Sequence, residues 1–156
     1  MSTKNIIAKY RNCFVTLCAA AFVLTASAVT HADEVITMYK QTYCGCCEKW
    51  AEHVRKAGFE VTVVNMYDLA PFNERFGIPQ HVASCHTAKL GSYYIVGHVP
   101  AADIFKLLDE KPNVRGLAVP GMLVGTPGME VPGRAAAKYD SVLFTYTGET
   151  TVYVSH

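Results

Sequence analysis

Tyr43-Cys44-Gly45-Cys46-Cys47 sets three thiols within four residues, and a fourth follows in Ser84-Cys85-His86. Thiolate is both the nucleophile of disulfide exchange and a ligand for soft metals, so this crowding points to thiol redox or to thiophilic metal binding. Cys44 and Cys47 have the C-x-x-C spacing, which both chemistries use. Cys46 tilts the balance. A dithiol oxidoreductase needs two sulfurs, and a third beside them invites scrambled or vicinal disulfides, which are strained. If Cys46 and Cys47 share a first helical turn, their side chains diverge by about 100° and the three sulfurs fan around the helix end. A fan of thiolates suits several Cu(I) ions, each content with two or three sulfurs, better than one closed tetrahedral zinc site.

Cys85 is expected opposite the helix start, where it completes a set of four. The alternatives are a buried free cysteine or a structural disulfide such as Cys44 to Cys85. His86 adjoins Cys85, but neighbours on a strand point to opposite faces, so both reach one metal only across a bulge. His86 is therefore read first as an exposed or hydrogen-bonding histidine and second as a ligand. His53 and His98 are read as structural, and His81 and His156 carry no positional signal. Met122 and Met129 stand in a near-repeat, Pro120-Gly-Met122 and Pro127-Gly-Met129. Methionine fills irregular core gaps, and its thioether also selects Cu(I), so the two are secondary ligand candidates.

The elements that position these residues follow from periodicity and punctuation. Val35 to Lys40 reads as a first strand, Glu48 to Ala57 as a helix stopped by Gly58, and Phe59 to Asn65 as a second strand. A crossover helix between two such strands predicts a parallel β-α-β unit, with the C-x-x-C at the helix N-terminus. There the helix dipole favours thiolate over thiol. Asp68 is placed to cap a short helix through Phe76, closed by Gly77-Ile78-Pro79. Val82 to Ala88 and Ser92 to Val96 form a hairpin around Leu90-Gly91, and Ala101 to Glu110 is a helix with Ile104, Leu107 and Leu108 on one stripe. Lys111 to Arg134, broken by four prolines and five glycines, reads as a long loop. Ser141 to Tyr146 and Thr151 to Val154 read as a closing hairpin. This order predicts an α/β fold of the thioredoxin or glutaredoxin type, a central sheet flanked by helices, in one domain over 33–156.

The N-terminal segment is of another kind. Lys4, Lys9 and Arg11 precede an apolar stretch from Cys13 to Leu24, with small-residue exits at Ala26-Ser27-Ala28 and Thr30-His31-Ala32. Residues 1–32 thus read as a secretory signal peptide cleaved after Ala28 or Ala32. The apolar run is shorter than the roughly 20 residues a spanning helix needs. Cleavage removes three of the 14 basic residues and none of the 13 acidic ones, taking the formal charge from +1 to −2. A nucleic-acid partner wants a basic surface, which this is not. The expectation is a protein of an oxidising compartment, the periplasm, with no membrane attachment after cleavage. Cys44, Cys46, Cys47 and Cys85 are then its only cysteines.

As a set, Tyr43-Cys-Gly-Cys-Cys-Glu-Lys-Trp50, Ser84-Cys-His-Thr-Ala88, Gly97-His-Val-Pro-Ala-Ala-Asp-Ile104, Gly116-Leu-Ala-Val-Pro-Gly-Met122 and Thr126-Pro-Gly-Met-Glu130 resemble the periplasmic CopG-type copper-resistance proteins, long catalogued as a family of unknown function. The resemblance spans nearly the whole chain after the signal segment, with Leu123-Val124 a local departure. It implies an exported thioredoxin-like domain that binds copper through Cys44, Cys46, Cys47 and Cys85 as a cysteine-bridged Cu(I) cluster. It also implies work beside periplasmic copper efflux and copper oxidase components. The resemblance supplies copper; the residues alone support a soft, thiophilic metal. Two rivals stand beside it: a thiol-disulfide oxidoreductase with Cys44 as nucleophile and Cys47 as resolving thiol, and a protein–protein module stapled by two disulfides.

Overall fold

Alternation of apolar residues builds a seven-stranded sheet in the order β2-β1-β3-β4-β5-β6-β7 in the computed structural model, which describes residues 35–156. The segment read as a signal peptide and its two expected cleavage positions lie outside the described residues. The strands are β1 (Val35–Gln41), β2 (Glu60–Met66), β3 (His86–Leu90), β4 (Tyr93–Val96), β5 (Gly116–Ala118), β6 (Asp140–Phe144) and β7 (Thr150–Ser155). Helix α1 (Gly45–Lys56) connects β1 to β2, which pair in parallel as expected. Helix α2 (Ala70–Arg75) and a 3-10 turn (Gln80–Val82) follow, and α3 (Ala101–Glu110) follows β4. β3 pairs antiparallel with both β1 and β4.

Period-two alternation assigns the two faces of the sheet. Ile36 and Met38 on β1, Ala88 and Leu90 on β3, Ile95 on β4 and Leu117 on β5 share a buried core with Trp50 and Val54 of α1 and Ile104 and Leu107 of α3. Tyr94, Val96, Ala118 and Phe144 face the other way, onto Ile78, Val82 and the rings of Phe72 and Phe76. The α1 and α3 stripes thus cover one face and α2 the other. Just before α2 the Asp68 carboxylate accepts the Ala70 N–H at 2.9 Å, but the N-cap position itself falls on Leu69, which makes no side-chain cap.

Two expectations are corrected. Val82 is not on a strand: it ends the 3-10 turn, and β3 starts only at His86. The Pro/Gly-rich stretch is not all loop, since Gly116–Ala118 is a fully buried strand, parallel to β4 and antiparallel to β6. Through it the expected C-terminal hairpin, β6–β7, joins the main sheet.

Candidate metal centre

The chain leaves β1 through a tight turn in which the Cys44 N–H bonds the Gln41 carbonyl at 3.0 Å and the Thr42 N–H bonds the Met66 carbonyl at 3.1 Å. Lys40, at 2% exposure, sits under this turn. Its Nζ donates to the Gln41 and Thr42 carbonyls at 3.2 Å each and lies 3.1 Å from the Glu48 carboxylate. A buried ammonium is tolerable only with such a full set of acceptors, and here they tie the turn to the first turn of α1. Cys44 is the N-cap of α1 and has extended backbone; the helix starts at Gly45, earlier than the expected Glu48, so Cys46 and Cys47 fall on its first turn.

The sulfurs do not fan apart. Cys44 and Cys47 are joined by a disulfide, Cys46 and Cys85 are free, and the Cys46 sulfur lies 3.4 Å from that of Cys44. Cys47 is fully buried, its sulfur 3.6 Å from the Cys85 carbonyl oxygen. The disulfide therefore falls within the C-x-x-C, not between Cys44 and Cys85. All four sulfurs lie within 4.8 Å of one another. Two sulfurs sharing an ion at about 2.3 Å each sit no more than about 4.6 Å apart, so this donor set fits a thiophilic ion once the disulfide is reduced. Cys85 needs such a partner to ionise: burial first, then the neighbouring Cys46, pushes its pKa up to about 12.

Cys85 comes to the site from the opposite wall, at the threshold of β3. Ser84 beside it donates to the Gly121 carbonyl at 3.0 Å, fixing the start of the first Pro-Gly-Met unit. Gly97 makes this approach feasible. At φ +71° it has the left-handed backbone, and a Cβ there would stand 2.6 Å from the Val119 carbonyl and 2.9 Å from Ser84 Oγ. The second Pro-Gly-Met unit packs directly on α1. A Cβ at Gly128, φ +85°, would stand 2.7 Å from the Trp50 nitrogen and 2.9 Å from the Cys46 carbonyl.

The histidines depart from expectation. His86 is neither exposed nor hydrogen-bonded at Nε2: it is fully buried, stacked on Trp50 with ring centroids 4.4 Å apart, and Nε2 has no hydrogen-bond partner. Its place on β3 shares parity with Ala88 and Leu90, which turn to the core, and it pairs with Lys40 of β1. Because Cys85 precedes the strand, the opposite-face rule does not separate the two residues, and His86 Nδ1 lies 3.6 Å from the Cys85 sulfur without a bulge. His98, read as structural, is also fully buried and brings Nε2 to 3.3 Å from the same sulfur. Burial lowers the pKa of both rings, that of His86 to about 3 with His98 as second cause, so both are neutral. His53 behaves as expected, accepting the Ala101 N–H at 3.0 Å to cap α3.

The two methionines separate. Half-exposed Met122 lines an open cavity of about 400 Å³ with Tyr43, Cys44, Cys46, Tyr67 and Cys85, beside the sulfurs. Met129 lines a shallower hollow with Gly45, Cys46 and Lys49. Trp50 binds the walls together, donating from Nε1 to the Val99 carbonyl at 2.8 Å in the loop that carries His98.

Residues 82–129 match a family model described as a protein of unknown function, DUF411. No curated protein matches the chain. Two solved structures do, described as copper resistance protein copG, forms 1 and 2. Both are 39% identical to this chain, with TM-scores of 0.73 and 0.74. The matches cover 78% and 79% of this chain, and 96% and 98% of theirs.

Proposed function

The chain belongs to the family of CopG copper-resistance proteins, and from that membership we propose that it carries copper, taken as Cu(I), on the sulfurs of Cys44, Cys46, Cys47 and Cys85. The observation that carries this reading is the convergence of four sulfurs within 4.8 Å from two separate segments of the fold. Thiolate bridges let each Cu(I) use two or three sulfurs, so the set holds a multinuclear cluster. For Cu(I) loading, a dithiol reductant passes two electrons and two protons to the Cys44–Cys47 disulfide and itself becomes a disulfide, and each Cu(I) then displaces a proton from a thiol. Where Cu(I) meets the disulfide instead, two Cu(I) ions supply the two electrons and become two Cu(II) while the sulfurs take up two protons, which balances as copper redox conversion at the site.

The fold reading that goes with this is thioredoxin-like. Its support is the β2-β1-β3-β4 order, with β1 and β2 parallel and β3 antiparallel to β1, and the C-x-x-C at the N-terminus of the crossover helix. Export to the periplasm rests on the basic and apolar N-terminal segment. There the protein would meet copper efflux or copper oxidase components.

Anaerobic titration of the reduced protein with Cu(I) against a competing chelator tests the cluster. More than one copper per chain is expected, with a lower ratio for Cys46→Ser. A single copper unaffected by that change would sink the cluster.

A second reading has an observation of its own. The Cys44–Cys47 disulfide is the oxidised form expected of a thiol-disulfide oxidoreductase. Insulin reduction that survives Cys46→Ser and Cys85→Ser but not Cys44→Ser would establish it, and no turnover would remove it.

A further inference from the structure

Behind the four sulfurs stands a second donor group. Cys85 Sγ, His98 Nε2 and His86 Nδ1 converge, with Sγ 3.3 Å from the first nitrogen and 3.6 Å from the second and all three within 4.8 Å. These are the separations that three ligands adopt around one ion at about 2.0–2.3 Å from each.

The protonation of His98 is fixed by its other side. Nδ1 lies 2.8 Å from the Pro127 carbonyl, which can only accept, so Nδ1 carries the hydrogen and Nε2 turns a lone pair to the Cys85 sulfur. A backbone carbonyl holding one ring nitrogen while the other faces a ligand position is the arrangement found behind metal-bound histidines. The loop providing that carbonyl is pinned on α1 at Gly128. His86 is held otherwise, by its stack on Trp50, and its Nε2 is buried without a partner. Such an orphan is a poor choice for stability alone. On its other side the half-buried Cys85 lines the cavity of Cys44, Cys46 and Met122.

We propose that Cys85, His86 and His98 form a mixed sulfur–nitrogen copper subsite, contiguous with the thiolate cluster through Cys85. It rests on the copper reading above, and it adds two imidazoles to the ligand set. Thiolates select Cu(I), whereas two imidazoles and one thiolate accommodate copper in either oxidation state. Copper at this end of the site is thus buried behind the sulfurs and held by the donors most tolerant of a change in charge. Pro127 is a positioning residue here, acting through His98.

X-ray absorption at the copper edge, on the full protein reduced and loaded anaerobically with Cu(I), tests the subsite. The expected spectrum contains imidazole outer-shell scattering from about one or two nitrogens per chain in addition to sulfur. In His86→Ala/His98→Ala that scattering disappears and copper per chain falls by about one, while circular dichroism and the count of free thiols stay as in the unaltered protein. Sulfur-only ligation in the unaltered protein overturns the subsite and leaves the four-cysteine reading standing, and this holds even if the double variant does not fold. Absence of copper from the unaltered, reduced protein removes both.

Discussion

The two walls of the sulfur site are made in different ways. The wall of Cys44, Cys46 and Cys47 is local: a strand end, a tight turn and the first turn of α1 determine it within a few residues. The wall of Cys85, His86 and His98 is assembled. It takes the threshold of β3, the exit of β4, and a Pro-Gly-Met loop 29 residues beyond His98. Local geometry is inexpensive to specify and is suited to a disulfide that opens and closes. Assembled geometry depends on close backbone approach at Gly97 and Gly128, and it presents rigid, buried imidazoles.

This contrast can be broken most strongly at the glycines. Gly97→Ala forces a Cβ against the Val119 carbonyl at a left-handed φ, and a loss of about 2–4 kcal/mol is expected from urea unfolding. Gly58→Ala, at φ +106° with open space around it, is expected to cost less, about 1–2 kcal/mol, from strain alone. Equal losses at the two positions would mean that close approach is not what shapes the assembled wall.

Acid acts on the assembled wall through its two histidines. His86 and His98 are neutral in the fold, with folded pKa values depressed below the ordinary 6.5. Their contribution is complete above pH 6.5 and is lost as pH falls toward the folded value, about 3 for His86. The His86 ring lowers the folding equilibrium by up to about tenfold per pH unit across that window, and His98 acts in the same direction. Urea midpoints between pH 7 and pH 4 should fall in the unaltered protein and fall less in His86→Phe. Parallel curves for the two would contradict the assignment of acid sensitivity to this wall.

Trp50 couples the walls, and Trp50→Phe removes the bond to the Val99 carbonyl while keeping a ring against His86. A loss of about 1–3 kcal/mol is expected by denaturation, since the carbonyl is left buried without its donor. The smallest effect belongs to the local wall. Glu48 is half exposed, so Glu48→Gln should cost less than about 1 kcal/mol despite its contact with Lys40. A larger loss would mean that the Lys40 network, and not the helix start, holds the cysteine turn.

The same division decides what the sequence made legible. The C-x-x-C at a helix start, the parallel β1–α1–β2 unit and α3 from Ala101 to Glu110 all follow from short-range pattern, and the structure agrees with each. Strand β5 was not legible, because three residues between Pro112 and Pro120 gain their strand character only from β4 and β6 on either side. His86 was misplaced by starting β3 at Val82. Counted back from inward Ala88, its parity points to the core, a signal the sequence did contain. His98 carries no local signal of its contact with Cys85, which comes from a loop crossing distant in the chain. The disulfide partner of Cys44 likewise needed three-dimensional placement, since C-x-x-C pairing and pairing with Cys85 are both compatible with the spacing.

The central claim is that these sulfurs converge in order to share copper. Copper-edge X-ray absorption on the anaerobically reduced and loaded protein, read together with the copper-to-protein ratio, tests it most directly. More than one Cu(I) per chain, sulfur in the first shell and a short copper–copper distance are expected. One copper or none per chain, with no copper–copper distance, would contradict it.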